Sequence, residues 1–274
     1  MSAMHVFDQA VALTPAGDNR FTGATSPAYA NMVGPFGGIT AATVLNAVMQ
    51  HPALLGEPLS LTINYCAAVA DGAFTVMAQP VRTNRSTQHW TITVTQPDAQ
   101  GEEGTVATAT AVTAARRSTW SLDDEPMPEV PRPHEIAPYE LPRFSAWVQR
   151  YEMRPIEGTV PSVWDGSGSH SRSRLWLRDA EPRPLDLLSI ASQADVFFPR
   201  VWLRRATFVP AGTVSMTVYF HAGSAQLAEC GASWVLGQAR AQAFRNGFFD
   251  QTAQLWSESG HLLVTTHQIV YYKE

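Results

Sequence analysis

The sequence predicts an α+β protein built from two similar halves, each a buried helix followed by a run of antiparallel strands. Three observations carry this prediction. The same order of elements occurs twice in 274 residues. The strand candidates are rich in Thr, Val and aromatics and are punctuated by turn residues. A single break in composition separates the two passages. At roughly 150 residues per domain, the length fits one large domain or two small ones.

In the first half, His5–Leu13 and Arg20–Thr25 read as short strands, and Tyr29–Phe36 as a loop. Gly37–Met49 then reads as a helix closed by His51-Pro52. It is apolar all round except for Thr40, Thr43 and Asn46, which recur every three positions and form a narrow polar stripe on a buried helix. Four strand candidates follow: Leu59–Val69, Phe74–Thr83, Thr87–Thr95 and Thr105–Ala115.

Residues 121–143, SLDDEPMPEVPRPHEIAPYELPR, hold six of the 19 prolines and six acidic residues. No helix or central strand tolerates that density. They read as an extended, polyproline-like connector, giving a first domain at 1–120, a Pro-rich linker at 121–143 and a second domain at 144–274. A long surface loop within one domain is the other reading.

The second half repeats the pattern. Phe144–Arg154 and Ser171–Arg178 read as strands, and Leu185–Phe198 as a buried helix with Asp186, Ser189, Ser192, Gln193 and Asp195 as its polar positions. Strands are expected at Val201–Val209, Thr213–His221, Gly231–Phe249 with an internal bend, and His261–Tyr272. The first two could form one hairpin. The segments Thr62–Ala67 and Thr217–Ala222 occupy equivalent places.

Composition narrows the function classes. With 45% apolar and 16% charged residues, the chain is not dominated by disorder. A net charge of −5 supplies no broad basic field for nucleic acid or anionic lipid. Cys66 and Cys230 are far apart and outside any CxxC, which argues against a disulfide scaffold and a cysteine-based zinc site. The eight histidines show no HExxH or HxH spacing, so no metal is expected. No leader pattern opens the sequence and no apolar run reaches membrane-spanning length. A reduced, soluble, cytoplasmic protein is the expectation.

Several motifs carry little. The glycines of Trp164–His170 lack the lysine and the strand–loop–helix context of a phosphate loop. There is no GxSxG, which disfavours an α/β-hydrolase. Arg82, Asn84, Arg85 and Ser86 read as a hairpin tip or a contact for a substrate phosphate; Arg204-Arg205 and Arg172/Arg174 share that ambiguity. Asp195 stands out. A carboxylate among Ala194, Val196, Phe197 and Phe198, at the C-terminal end of an apolar helix, is opposed by desolvation and by the helix dipole. Catalysis, a structural ion pair or a surface turn would each account for it. Thr213 alone is an ordinary β-former, and Gln268 alone a core amide that needs partners for both its ends.

Taken together, these residues resemble the acyl-CoA thioesterase II (TesB-like) family of double hotdog proteins. The resemblance is carried by Gly34-Pro35-Phe36-Gly37-Gly38 before the first helix, Tyr151–Gly158 and Arg174–Arg178 as opening strands of the second domain, and Ala191-Ser192-Gln193-Ala194-Asp195. To these are added Thr213, six residues before Tyr219-Phe220-His221, and Gln268, eight residues after the Ser259-Gly260 turn. It covers nearly the whole chain. It implies a double hotdog, two tandem domains each with a helix wrapped by an antiparallel sheet.

It also implies hydrolysis of acyl-CoA to free acid and CoA by a water held by Asp195, Thr213 and Gln268, without a covalent intermediate. No cofactor is implied, CoA being part of the substrate. A carboxylate as general base with neutral groups orienting the nucleophile is sound chemistry. Gly37 and Gly38, opening a helix, are the candidates to receive the developing oxyanion. The first-half counterpart of Asp195 is Asn46 or Leu45, and that of Thr213 lies near Leu59, so one site per chain is expected. Sheet edges in such folds are commonly paired between subunits, so the resemblance implies a homodimer. The alternatives are a non-catalytic acyl-binding hotdog protein and a hotdog hydratase or dehydratase. The last would need an Asp–His pair, with His221 the nearest histidine.

Overall fold

The computed structural model describes residues 4–98, 100–139 and 145–274. The end of the expected linker at 140–143 and the start of the expected strand at Phe144 lie outside them. In chain order the elements are α1 (Val6–Ala10), β1 (Thr14–Pro15), β2 (Arg20–Ala24), α2 (Gly37–Met49), β3 (Glu57–Tyr65), β4 (Ala73–Thr83), β5 (Thr87–Pro97) and β6 (Glu103–Ala114). The second half runs β7 (Tyr151–Glu157), β8 (Ser173–Asp179), α3 (Leu187–Gln193), α4 (Arg200–Arg205), β9 (Ala211–Phe220), α5 (Ser224–Cys230), β10 (Val235–Arg240), β11 (Phe244–Arg245), β12 (Phe248–Ser257) and β13 (Leu262–Tyr272).

All these strands join one antiparallel sheet in the order β1-β2-β4-β5-β6-β3-β9-β13-β12-β10-β8-β7, with β11 paired to β12. The halves meet at β3 and β9, where Thr62 pairs with Thr217 and their hydroxyls lie 2.9 Å apart. This register makes the pair a pseudo-twofold centre. Ser60 faces Tyr219 as Ser215 faces Asn64, the same relation with the halves exchanged. Both strands also end alike: the N–H groups of Cys66 and Ala67 converge on the Val106 carbonyl, and those of His221 and Ala222 on the Leu263 carbonyl. Helices α2 and α3 pack against each other across this centre. The architecture is the double hotdog.

The α2 helix occupies the expected span, and its polar stripe is satisfied internally. Thr40 and Thr43 donate to the carbonyls four residues back, Phe36 and Ile39. Asn46 donates to the Val11 carbonyl at 2.8 Å. Strands β3 to β6 lie within a few residues of their expected bounds.

Four expectations are corrected. His5–Leu13 contains the helix α1, because Phe7, Ala10 and Val11 bury one helical face and the His5 ring accepts the Phe7 N–H as its cap. The helix expected at Leu185–Phe198 is α3 alone. The Asp186 and Ser189 side chains cap its start reciprocally, and the residue before Pro199 is driven out of helical geometry. Val201–Val209 is not a strand: Val201, Trp202 and Leu203 are all buried, and three consecutive buried side chains favour the short helix α4, which ends at Ala206 with φ 42°. Gly231–Phe249 holds parts of three strands, because Asn246-Gly247, with φ 54° and 78°, turns the chain between β11 and β12. The α5 helix was not foreseen.

Part of the Pro-rich connector, around residues 127–136, packs against the second-half sheet. Met127, Val130 and Ile136 pack on Trp176, Trp234, Leu236 and Trp256, on the face of the second-half sheet away from the main core. Trp176 Nε1 donates to Pro131 O at 2.9 Å, and Arg154 Nη1 to Pro133 O at 2.6 Å.

Candidate active site

The site begins with an imbalance between two helices. The N-terminus of α2 follows Phe36, which has no capping side chain, so its first N–H groups need acceptors from elsewhere. Asp195, just past the C-terminus of α3, carries a carboxylate disfavoured by its own helix end. The crossing of α2 over α3 brings the two together, and the Gly38 N–H donates to the Asp195 carboxylate. The approach depends on missing side chains. A Cβ on Gly38 would fall 2.4 Å from Ser192 O, and one on Gly37 2.6 Å from Asp195 Oδ2.

The remaining expected residues reach the same carboxylate from the sheet. Gln268 on β13 lies opposite Met216 on β9 and is buried. Its Nε2 donates to Asp195 Oδ1 at 2.8 Å. The Thr213 hydroxyl donates to Gln268 Oε1 at 3.2 Å. Thr213, Gln268 and Asp195 thus form one hydrogen-bonded chain ending on the α2 N-terminus, with Gly37 and Gly38 beneath it. Burial pushes the Asp195 carboxyl up to about 7, despite the opposing hydrogen bonds from Gln268 and the Gly38 N–H. A carboxylate of that pKa can accept a proton near neutral pH.

His221 is not part of this cluster; its ring is exposed and bonds to Thr265 at 3.0 Å. Among the described residues no three His, Cys, Asp or Glu side chains gather as a metal site, and no helix is long and apolar enough to cross a membrane.

The pseudo-twofold identifies the corresponding place in the first half. Leu61 pairs with Ala111 as Met216 pairs with Gln268, so Ala111 answers Gln268. Pro58 answers Thr213 by the Thr62/Thr217 offset. Asn46 or Leu45, the expected counterpart of Asp195, lies within α2, and Asn46 is committed to Val11. Among the described residues the polar chain exists once.

Two residues near the site were missed from sequence. Tyr65, at the end of β3, donates its hydroxyl to Gly37 O at 2.8 Å. Arg200 is 1% exposed and braces the turn after Asp195, donating to the Phe198 carbonyl, to Ser171 O at 3.0 Å and to Ser173 Oγ at 2.7 Å. Burial lowers its guanidinium to about 9. No local pattern marks either residue, since their partners are distant in sequence or lie around a turn.

A small apolar pocket lies between α2 and the first-half sheet, lined by Ile39, Val44, Val69, Phe74, Val76 and Val94 among others. Thr40, one turn after Gly37, is on its wall.

Residues 26–114 match the model of the acyl-CoA thioesterase N-terminal domain, and residues 122–272 that of the C-terminal domain. A conserved protein of unknown function with a hot dog fold from Alicyclobacillus acidocaldarius is 44% identical over 99% of both chains, with a TM-score of 0.92. A tesB protein of Mycobacterium avium subsp. paratuberculosis is 18% identical over 98% of both chains, with a TM-score of 0.78. An acyl-CoA thioesterase II from Mycobacterium marinum is 15% identical over 97% of this chain and 98% of its own, with a TM-score of 0.75. The last two likenesses are of fold. No protein of curated function matches the sequence.

Proposed function

The chain belongs to the acyl-CoA thioesterase family, and from that premise we propose that it hydrolyses acyl-CoA to carboxylic acid and CoA with Asp195 as general base. The observation that carries this reading is the single chain Thr213–Gln268–Asp195 set against the N-terminus of α2. Water held by Thr213 and Gln268 gives a proton to Asp195 as its oxygen attacks the thioester carbonyl. The developing oxyanion is received at the positive end of α2 by the N–H of Gly37, while that of Gly38, the other expected donor, is held by the Asp195 carboxylate. The C–S bond then breaks and Asp195 returns the proton to the leaving sulfur. The reaction draws on water and protein groups alone, without metal or cofactor. Gln268 keeps the carboxylate and the Thr213 hydroxyl in one orientation, which lowers the entropic cost of placing the water.

The test is thiol release from acyl-CoAs of graded chain length. Turnover on some chain length supports the reading. Tight acyl-CoA binding without release would replace it with a non-catalytic acyl carrier. The pH profile adds a sharper expectation. Since burial raises Asp195 to about 7, its basic form gains population as pH rises through 7. The value of kcat/KM should therefore climb about tenfold per unit at lower pH and level off above 7. A profile flat from pH 5 to 8 would remove Asp195 as the base.

The cavity beside α2 supports an acyl subsite in the first half. Val44 is 1% exposed and on its wall. Val44→Phe should lower kcat/KM for the longest accepted acyl chains by about tenfold relative to the shortest, the scale expected for extra bulk in an apolar pocket. An unchanged chain-length profile would move the subsite elsewhere. A homodimer joined through sheet edges remains part of the proposal, testable by sedimentation.

A further inference from the structure

We infer that Tyr65 is a positioning residue of this site: its hydroxyl and the Asp195 carboxylate grip opposite ends of one peptide unit, Gly37–Gly38, fixing the aim of the Gly38 N–H and strengthening it as a donor. The inference rests on the hydrolytic reading and deepens it.

The geometry is direct. The Tyr65 hydroxyl donates to Gly37 O at 2.8 Å, and the Gly38 N–H of the same peptide donates to Asp195. A trans peptide points its C=O and N–H in opposite directions, so the unit lies between phenol and carboxylate. Hydrogen bonds linked in series polarise one another, and a donor on the carbonyl makes the N–H a better donor in turn. The tyrosine also walls the approach. A Cβ on Gly37 would meet Tyr65 Oη at 3.3 Å and Cζ at 3.4 Å, as well as Asp195 Oδ2. Burial and the charge of Asp195 both push the phenol well above its ordinary pKa, so it stays a protonated donor across the working range.

The pseudo-twofold separates this role from packing. The offset that relates Thr62 to Thr217 maps Tyr65 onto Phe220, a buried ring without a hydroxyl. Gln268 likewise answers Ala111, and Thr213 answers Pro58. A ring at this place satisfies the core in both halves. The hydroxyl is found only in the half-site that has the carboxylate.

The test compares wild type, Asp195→Asn and Tyr65→Phe by acyl-CoA turnover, pH profile and thermal unfolding. Tyr65→Phe should lower kcat about 3- to 10-fold, the scale of one neutral hydrogen bond, with KM within about twofold. Its acid limb should move to higher pH, because a weaker N–H donor favours the charged carboxylate less. A difluorotyrosine at position 65, a more acidic phenol, should move the limb to lower pH. It also keeps the test open should Tyr65→Phe fold poorly. If wild type turns over, Asp195→Asn does not, and both Tyr65 variants keep the wild-type kcat and limb, the inference falls while the hydrolytic reading stands. A lowered melting temperature with an unmoved limb would make Tyr65 merely structural and overturn it too. A wild type inactive on every acyl-CoA would remove the hydrolytic reading and Tyr65's role together.

Discussion

Asp195→Asn should lower thiol release from the best acyl-CoA by about 10²-fold or more, the loss expected when a general base is removed. The substitution preserves volume and leaves Gln268 an acceptor, so the site stays packed. It removes only the capacity to take the proton of water. The same change should not weaken the fold at neutral or higher pH. The native carboxyl is raised from its ordinary 3.8 to about 7. Between those values the folded state binds a proton that the unfolded state has lost, so stability falls as pH rises through that window. The cost of burying the charge is absent below about 4 and complete above about 7. Asparagine carries no such cost. The variant should therefore melt at or above the wild-type temperature at pH 8, with the difference closing on acidification. Lost turnover with undiminished stability would mark a residue kept for chemistry against the preference of the fold. Turnover that survives would put the base elsewhere.

Gly38→Ala should be the most damaging single-methyl change near the site. Its Cβ would stand 2.4 Å from Ser192 O and 2.5 Å from the Phe36 ring. The Ser192 carbonyl cannot swing aside: it belongs to α3 and accepts the Asp195 N–H at 3.2 Å. The two helices must separate, and with them the Gly38 N–H and the carboxylate. Overpacking of this kind costs about 1–3 kcal/mol, visible as a fall of several degrees in melting temperature. Turnover should fall by at least about tenfold as the peptide loses its aim. Wild-type stability and rate in Gly38→Ala would mean that the helices tolerate separation and that their contact does not set the site.

Much of this molecule was legible locally. The α2 span followed from an apolar run with a narrow stripe of Thr40, Thr43 and Asn46, between a glycine pair and His51-Pro52, and β3 to β6 from β-branched alternation between turn residues. Asp195 announced itself by the cost of its placement. Other signals were present and misread. Asn246-Gly247 is a hairpin turn by residue type alone, and the spacing of Phe7, Ala10 and Val11 is helical as well as strand-like. For α4, β-favouring Val and Trp were overruled by burial against the core, a tertiary preference that local propensity does not contain.

By itself, then, the sequence determined two repeats of helix and strands, the glycine opening of α2, and three polar residues that resemble a known site. Only the tertiary structure decided that Thr213, Gln268 and Asp195 form one hydrogen-bonded chain, and that this chain ends on a peptide of the other half held from behind by Tyr65. The reason is the distance these contacts span: Gln268 and Asp195 are 73 residues apart, Thr213 and Gln268 55, and Tyr65 and Gly37 28. Such contacts are set by the register of β3 on β9 and the crossing of α2 over α3. No window of neighbouring residues encodes that register, because it follows from burying both helices under one continuous sheet.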